Sequence, residues 1–440
     1  MFVMRVCGAL LTAMMAYAQI PGYGGPGVAS RGGRAAGSRG SEPVNIRPYI
    51  NVMGVMDTGL TPVSLSSSGD IVNPGTLYGV EASVGAYGSK AWKRAMVGLD
   101  YQGSYRHYTS QTYYNGSDHV MSLMFSRQVS RRVALRLSSL AGTTSRTVGG
   151  TFGMGLFDPN TIGATYSDIF DNRAYFAQVS GDMVMQVGSR NSFVAGGSAF
   201  AVRRQSKALV GMNGQQAFMT VSRRVNRKTD LGLSYQYMHV DYPRVFGEAD
   251  VHTLMMQLSR AIGQRWNFSL GAGAFRTDFA GVRVVAVDPV VAELFGVTSA
   301  REAFNRVNTS SSVSVQIMRS IRRGGFGASY SRGANPGNGA LLLNRSEQVG
   351  ANFSYNTGYK WSYGVSSQLS RYSGFGTYNG RQTSYGASVV ASRMLVSNMH
   401  FTATAGVLHF GVNSNTYRRS TTRVALGFTY SPGDLPISLR

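Results

Sequence analysis

The sequence predicts an all-β fold, a transmembrane antiparallel β-barrel of about 16–18 strands with short periplasmic turns and long extracellular loops. Three observations support this prediction. The chain opens with an export leader, apolar and small polar residues alternate with a period of two over most of its length, and short and long polar breaks alternate between these runs. The composition agrees, because only 14% of the 440 residues are charged, whereas Gly reaches 55, Tyr 24 and Phe 21.

The first segment, residues 1–18, is predicted to be a cleaved signal peptide. It carries the basic Arg5, an apolar run over 6–15 and a small-residue Ala-Tyr-Ala site. The apolar run is too short to span a bilayer as a helix, so we expect the mature protein to be exported. Together with the predicted barrel, export implies the outer membrane of a Gram-negative-type envelope. The only cysteine, Cys7, lies inside this segment, which excludes disulfides, cysteine-ligated metals and thiol catalysis from the mature chain.

The remaining chain divides into three parts. Residues 19–45 are rich in Gly, Arg and Pro and have almost nothing large and apolar to bury, which predicts a flexible periplasmic tether. Residues 46–430 carry the alternating pattern and form the predicted barrel, and residues 431–440 are a C-terminal tail. No apolar stretch after the leader approaches the length of about 18 residues that a membrane-spanning helix needs, which argues against a helical membrane protein.

The period-two alternation assigns a different chemistry to each face of the strands. Over residues 95–105, Ala, Val, Leu and Tyr occupy one face, and Met, Gly, Asp, Gln and Ser occupy the other; residues 231–237 and 349–355 repeat the arrangement. A soluble β-sandwich would carry Lys, Glu and Asp on its outer face, but the polar face here holds Gly, Ser, Thr, Asn and Gln. We therefore expect the apolar face to meet lipid and the small polar face to enclose a hydrated interior.

A recurring Ser-Arg motif marks the short turns. Copies begin at 126, 222, 259 and 392, and a less similar copy lies at 318–323. The predicted short turns lie near 88–91, 129–132, 188–192, 224–229, 261–265, 319–324, 356–360 and 394–398, with notable long loops at 141–173 and 277–308. An even number of strands brings both ends of the barrel to the periplasmic side. A barrel of about 16–18 strands is also wide enough to leave an aqueous lumen.

The formal net charge of +23 raises the question of a nucleic-acid partner, because basic surfaces bind phosphate backbones. The distribution of charge argues against this partner. Only five lysines are present, and many arginines lie at regular strand boundaries instead of forming one patch. We therefore predict no nucleic-acid partner.

The alternating strands, the arginine-bearing turns and the terminal strand over 423–430 resemble those of bacterial outer-membrane porins and porin-like barrels. The resemblance implies outer-membrane lipid, lipopolysaccharide, the barrel-assembly machinery and small hydrophilic solutes as partners. Phe428 and Tyr430 look like the family's terminal assembly signal, although residues 431–440 follow them. The resemblance also implies, by position, that the 141–173 loop folds into the lumen and presents Asp158, Asp168 and Asp171.

Six charged residues fall at the alternate strand positions that face the lumen, here termed lumen parity, and they are the predicted pore lining: Glu81, Arg94, Asp100, Arg136, Asp182 and Arg423. One interpretation is a transverse electric field that selects ions in the pore. The other is pairing between strands that merely neutralises enclosed charges. The sequence leaves both open.

Histidine and aromatic residues concentrate near strand ends. Five of the six histidines lie at loop ends, where they form either a metal site or acid-sensitive gate, or simply part of the membrane interface; the lack of suitably spaced carboxylates favours the interface. Aromatic residues near strand ends fit the girdles that border the lipid band of such barrels. The predicted girdle residues are Trp92, Trp266, Trp361, Tyr105, Tyr237 and Tyr372.

The function predicted from these features is a channel for passive diffusion of small hydrophilic solutes or ions. We expect no catalytic residue, no cofactor and no metal, because the sequence shows no nucleophile elbow, zinc-helix motif or paired-carboxylate signature. Two alternatives remain: a barrel hydrolase with catalytic residues at the rim, and a structural or adhesive envelope barrel. The solute, and whether the barrel is a monomer or a homo-oligomer, are left open.

Overall fold

The computed structural model describes residues 44–59, 64–65, 71–72, 75–110, 114–144, 173–205, 209–245, 247–286, 293, 299–337, 342–357, 360–375, 380–412, 417–432 and 435–437. Its strands are β1 (Val44–Thr58), β2 (Ser64–Leu65), β3 (Ile71–Val72), β4 (Thr76–Ala91), β5 (Ala95–Tyr108), β6 (Gly116–Gln128), β7 (Val133–Thr144), β8 (Ala174–Gln186), β9 (Asn191–Arg204), β10 (Met212–Asn226), β11 (Thr229–Tyr242), β12 (Gly247–Ile262), β13 (Trp266–Ala286), β14 (Ser299–Ile321), β15 (Gly324–Asn335), β16 (Asn344–Asn356), β17 (Trp361–Gly374), β18 (Arg381–Val396), β19 (Met399–Val412), β20 (Tyr417–Tyr430) and β21 (Leu435–Ile437). Among the described residues, no helix is long and apolar enough to cross a bilayer.

The long strands form one closed antiparallel barrel. Each strand from β4 to β20 pairs with its neighbours in sequence, and β1 closes the ring by pairing with β4 on one side and β20 on the other. Within the described residues this gives eighteen barrel strands, which confirms the predicted fold class at the upper end of its range. Closure leaves no free edge within the ring itself, so backbone polar groups there find partners without water, whereas the outermost residues of β13 and β14 pair only with each other.

Three short strands lie outside the main ring. Among the described residues, β2 and β3 pair with each other and with no other strand, within the connection between β1 and β4. The strand β21 pairs with residues 44–46 at the start of β1, and it therefore extends the closure by three residue pairs. The beginning and the end of the barrel are thus joined by two ladders, residues 50–58 with 422–430 and residues 44–46 with 435–437.

Eight short connections define one end of the barrel: those at 92–94, 129–132, 187–190, 227–228, 263–265, 322–323 and 397–398, and the one between the end of β16 at Asn356 and the start of β17 at Trp361. Seven of them lie at or within a few residues of the predicted positions. The predicted turn at 88–91 is wrong, because these residues complete β4. By the convention of such barrels, the short turns mark the periplasmic end and the longer connections mark the extracellular end.

The longest hairpin of the described chain corrects a second prediction. Residues 277–308 were expected to form a loop, but β13 runs to Ala286 and β14 begins at Ser299. These strands have 21 and 23 residues, whereas about 9–11 residues cross a membrane. The hairpin therefore extends beyond the bilayer, where both faces meet polar surroundings and the simple alternation of apolar and polar residues is lost.

The outer wall carries the predicted apolar band. On β11, Leu231 and Leu233 are 49% and 47% exposed, whereas the alternate residue Ser234 points inward and donates a hydrogen bond to the Met255 carbonyl oxygen. Val349 and Phe353 on β16 show the same outward exposure. Apolar side chains exposed in this ring are the expected contact surface for hydrocarbon, and the predicted facing of residues 95–105, 231–237 and 349–355 is correct.

Aromatic girdles border this band at both ends. Trp266 and Trp361 follow short turns directly, whereas Trp92 lies in the turn between β4 and β5. The Arg319 guanidinium lies 4.9 Å from the centre of the Trp266 ring system. At the opposite border, Tyr385 stacks on His409 with ring centroids 4.7 Å apart. The prediction for Tyr372 is wrong, because Tyr372 is buried on the inner wall, where its hydroxyl accepts a hydrogen bond from the Gln348 amide.

Candidate functional site

The inner wall of the barrel is lined with small hydroxyl side chains through its middle and periplasmic parts. Neighbouring strands join these groups in pairs, with Oγ atoms of Ser138 and Ser180 2.6 Å apart and those of Ser366 and Ser388 2.7 Å apart. Such pairs satisfy part of the hydrogen-bonding capacity of the wall and leave lone pairs for solvent. These stretches of the wall are therefore wettable.

Two of the predicted lining residues form a cross-strand ion pair. Arg136 on β7 and Asp182 on β8 lie directly opposite each other, and Arg136 Nη2 is 2.7 Å from Asp182 Oδ2. Asp100 has the inward parity of β5, opposite Ser122 of β6. Arg94, in contrast, lies exposed in the turn between β4 and β5 and belongs to no strand. Asp158, Asp168 and Asp171 lie outside the described residues.

The other two lining residues belong to a buried charge network at the closure of the barrel. Arg423 on β20 pairs with Glu81 on β4 and lies 3.6 Å from Asp57 on β1. Arg106 on β5 donates a 3.0 Å hydrogen bond to Glu81. Tyr108 donates its hydroxyl proton to Asp57. Opposite charges are thus matched across four neighbouring strands.

The sequence did not identify Asp57, Arg106 and Asp118 as parts of this network. Arg106 Nη2 lies 3.4 Å from Asp118 Oδ2 on β6, which extends the network by one more strand. The available signal was the period-two alternation, because Asp57, Arg106 and Asp118 each lie at a strand position whose side chain points into the barrel. Parity alone does not show that β1 and β20 are neighbours, so the meeting of Asp57 with Arg423 depends on barrel closure.

Apolar side chains turn inward in the extracellular half of β8 to β13, contrary to the prediction that the apolar face meets lipid throughout. The largest buried cluster contains inward residues of these six strands together with Leu343 of the connection between β15 and β16. Its strand members are Phe176, Phe200, Val202, Met212, Met238, Val240, Tyr242, Ala249, Val251, Phe275 and Phe279. Their exposed fractions lie between 0% and 8%, so they are covered and not open to a wide aqueous lumen.

The reversal follows from the position of the membrane border. On β11, Tyr235 lies outward in the outer girdle, and beyond it His239 and Asp241 face outward while Val240 faces inward and is fully buried. Outside the hydrocarbon the outer surface meets headgroups and water, so polar residues are favoured there. Apolar residues then gain by packing inside, under covering loops.

Described loop residues provide part of that cover. The Phe375 ring, from the connection between β17 and β18, packs edge-on against Phe275 with centroids 6.1 Å apart. Tyr242 donates its hydroxyl proton to the Pro336 carbonyl oxygen. These contacts connect β11 and β13 to loops several strands away, so apolar side chains occupy part of the inner space at the extracellular end.

A second, smaller apolar cluster lies beside the charge network, on the wall formed by β1, β4, β5 and β20. Its members are Met53, Val55, Leu77, Tyr108, Tyr114 and Ala425, with exposed fractions of 0% to 8%. Tyr108 and Tyr114 meet edge-on with ring centroids 6.2 Å apart. The extracellular half of the described lumen is therefore bordered by apolar groups on two walls.

The predicted rim histidines lie on the outer wall and not in the lumen. His107, His119, His239, His252 and His409 all have outward parity near the extracellular ends of their strands. His239 lies between two carboxylates, with Nδ1 2.9 Å from Asp250 and Nε2 3.3 Å from Asp241. The expectation that no carboxylate is suitably placed is therefore wrong for His239.

Among the described residues, one group of three side chains has ligand atoms close enough together to hold a metal ion. Ligand atoms of His239, Asp241 and Glu248 lie within 4.8 Å of one another on the exposed outer surface. Both ring nitrogens of His239 already face carboxylates, so a metal would have to replace an existing contact. The geometry does not single out these residues as a metal centre.

The closed ring, its apolar outer band and its two aromatic borders together decide the class of the molecule. It is a closed antiparallel β-barrel of the transmembrane type. Among solved structures, the chain is similar to the outer membrane protein opdK from Pseudomonas aeruginosa, at 11% identity and a TM-score of 0.41 over 88% of this chain and 98% of that one.

Two further solved structures from the same organism show a similar relationship. For OccK5 (OpdH) from Pseudomonas aeruginosa the identity is 10% and the TM-score 0.41, over 89% of this chain and 99% of that one. For OccK8 (OprE) from Pseudomonas aeruginosa the identity is 13% and the TM-score 0.38, over 88% of this chain and 98% of that one. No protein-family model matches the chain, and no curated protein matches it.

Proposed function

We propose that this barrel is a channel for passive diffusion of small hydrophilic solutes or ions across the outer membrane. The observation that carries the proposal is the closed ring of eighteen described strands with a polar inner wall in its middle and periplasmic parts. Barrels with 16 to 18 strands are wide enough to leave an aqueous passage. Such passage requires no catalytic residue, cofactor or resident metal.

The inward apolar clusters determine where the passage is narrowest. Phe275, 1% exposed and packed against Phe375, lies on the inner wall of the extracellular half. An apolar constriction hinders ions, because ions lose part of their hydration shell there. We therefore expect a small unitary conductance that depends on the volume of the Phe275 side chain.

Single-channel recording in planar bilayers tests this proposal with the purified full-length protein. Stepwise conductance is expected for the natural protein, and Phe275→Ala is expected to increase it, because the partly buried Phe375 ring loses the buried ring on which it packs at the constriction. Phe353→Ala is the matched control, because Phe353 is an exposed aromatic residue on the lipid side of β16. The control is expected to leave the conductance unchanged.

Two results would oppose the proposal. A folded protein that inserts into bilayers but stays silent, in both the natural form and Phe275→Ala, would favour a structural or adhesive envelope barrel. Equal conductance changes in Phe275→Ala and Phe353→Ala would show that the inner apolar cluster does not set the passage.

A further inference from the structure

Three arginines form a cluster on the outer wall, away from the lumen. Arg332, Arg345 and Arg371 come from the adjacent strands β15, β16 and β17, and they surround Glu347. They share the outward parity of Val349 and Leu369, which are 47% and 44% exposed on the lipid side. The cluster therefore faces the membrane surface and not the solute pathway.

The central carboxylate is shared among the three cations at long distances. Arg332 Nε and Arg345 Nε lie 3.7 and 3.9 Å from Glu347 Oε1, and Arg371 Nη1 lies 3.9 Å from Oε2. These contacts are ion pairs but are too long for hydrogen bonds. Among the described residues, no acceptor hydrogen-bonds the Nε atoms of these three arginines.

Positive charge is in excess at this place. Three guanidinium groups and one carboxylate leave a net charge of +2, and the arginine side chains are still 29%, 35% and 38% exposed. Arginine offers paired N–H donors that match the oxygens of phosphate. The composition and charge of the cluster thus fit a phosphate group more closely than they fit the single carboxylate present.

The height of the cluster also points to a lipid ligand. Along β16, Glu347 is eight residues from Tyr355, an exposed aromatic residue at the periplasmic border. Eight residues span about 27 Å along a strand, or about 20 Å along the membrane normal at a tilt of about 40°. The cluster consequently lies near the outer border of the hydrocarbon, where the headgroups of outer-leaflet lipids begin.

We propose that Arg332, Arg345 and Arg371 form a binding site for the phosphate groups of a phosphorylated outer-leaflet lipid. The guanidinium groups contact the headgroup phosphate, and acyl chains of the same lipid pack on the apolar wall at Val349 and Leu369. This inference concerns the outer surface and is independent of solute passage through the lumen. Its test can therefore fail while the channel proposal stands.

Lipid binding by purified protein in detergent tests the site. The probe is a bis-phosphorylated disaccharide glycolipid in mixed micelles, compared with the same glycolipid after dephosphorylation and with inorganic phosphate alone. Native mass spectrometry or calorimetry reports the affinity. We expect the phosphorylated glycolipid to bind at least tenfold more tightly than either comparison, because only this probe satisfies both the charge and the apolar wall.

Three variants sharpen the test. The double variant Arg345→Gln/Arg371→Gln is expected to weaken glycolipid binding by at least about tenfold. Arg203→Gln is the matched control, because Arg203 is an exposed, outward arginine near the extracellular end of β9 and belongs to no such cluster of described residues. It is expected to bind normally. Glu347→Gln is expected to strengthen binding, since it removes the competing carboxylate.

Several outcomes would overturn the proposal. These are equal binding by the double variant and Arg203→Gln, equal binding of the phosphorylated and dephosphorylated glycolipids, or weaker binding by Glu347→Gln. Equal affinity for inorganic phosphate would assign the site to a soluble anion instead of a lipid. A change in oligomeric mass in the double variant, with unchanged glycolipid binding, would assign it to contact between copies of this chain.

Discussion

Replacing Arg423 with glutamine is expected to weaken the barrel at its closure. Arg423 pairs with Glu81 of β4 and lies 3.6 Å from Asp57 of β1, so one cation connects strands from both ends of the chain. The side chains of Arg423, Glu81 and Asp57 are 7%, 11% and 1% exposed. Water therefore has little access to the carboxylates that would lose their partner.

The remaining contacts set the size of the effect. Removing one partner of a buried ion pair costs about 3–5 kcal/mol, because the other charge stays buried. Glu81 keeps its 3.0 Å contact with Arg106, and Asp57 keeps the Tyr108 hydroxyl. Since both carboxylates retain one donor, we expect a loss near the lower limit, about 3 kcal/mol in the free energy of unfolding.

Denaturant unfolding of the barrel in phospholipid vesicles, followed by tryptophan fluorescence and by heat-modifiable mobility on detergent gels, measures this loss. Arg224→Gln is the control, because Arg224 Nε lies 3.4 Å from Asp230 Oδ1 and the two side chains are 38% and 36% exposed. An exposed pair of this kind contributes about 0–1 kcal/mol. If Arg423→Gln lost no more stability than Arg224→Gln, the network would not stabilise the closure.

The remaining predictions concern the two faces of the wall. Leu233→Arg is expected to cost about 2–4 kcal/mol in the same unfolding assay because Leu233 faces lipid, whereas Ser234→Arg on the inner face should cost much less; equal losses would contradict the assigned facing. Gly85→Ala is expected to lower stability by about 1–3 kcal/mol, because its Cβ would lie 2.4 Å from the Tyr49 ring, and Tyr49→Ala in the same chain should recover part of the loss. Trp361→Leu is expected to cost about 0.5–1 kcal/mol, because it removes the cation–π contact with Arg393, whose guanidinium lies 5.3 Å from the Trp361 ring. An unchanged unfolding midpoint would refute that contribution.

Period-two alternation and turn spacing were sufficient to predict the closed barrel, since both are local properties. A strand that separates lipid from water must alternate in sequence whatever its partners are, so residues 231–237 and 349–355 reveal their faces without knowledge of the tertiary structure. Short turns between such strands are visible for the same reason. Seven of the eight short turns were placed within a few residues of their positions in the structure.

Other features depend on where the membrane ends and which strands meet. The inward apolar cluster around Val240 and Phe275 has the same alternation as the lipid-facing band but the opposite facing, because the border of the hydrocarbon lies between the two. The joining of Arg423 with Asp57 links residues at the two ends of the barrel, and only closure brings them together.

The outer arginine cluster also depends on strand pairing that the sequence does not reveal. Sequence places Arg332, Arg345 and Arg371 on separate strands, with nothing to indicate that they share Glu347. The register of β15, β16 and β17 brings them to one height on one face. The alternation of apolar and polar residues is thus determined by the sequence of each strand. The height of a residue in the membrane, the strand register and the closure of the barrel are set by pairing between strands and by the thickness of the bilayer around them.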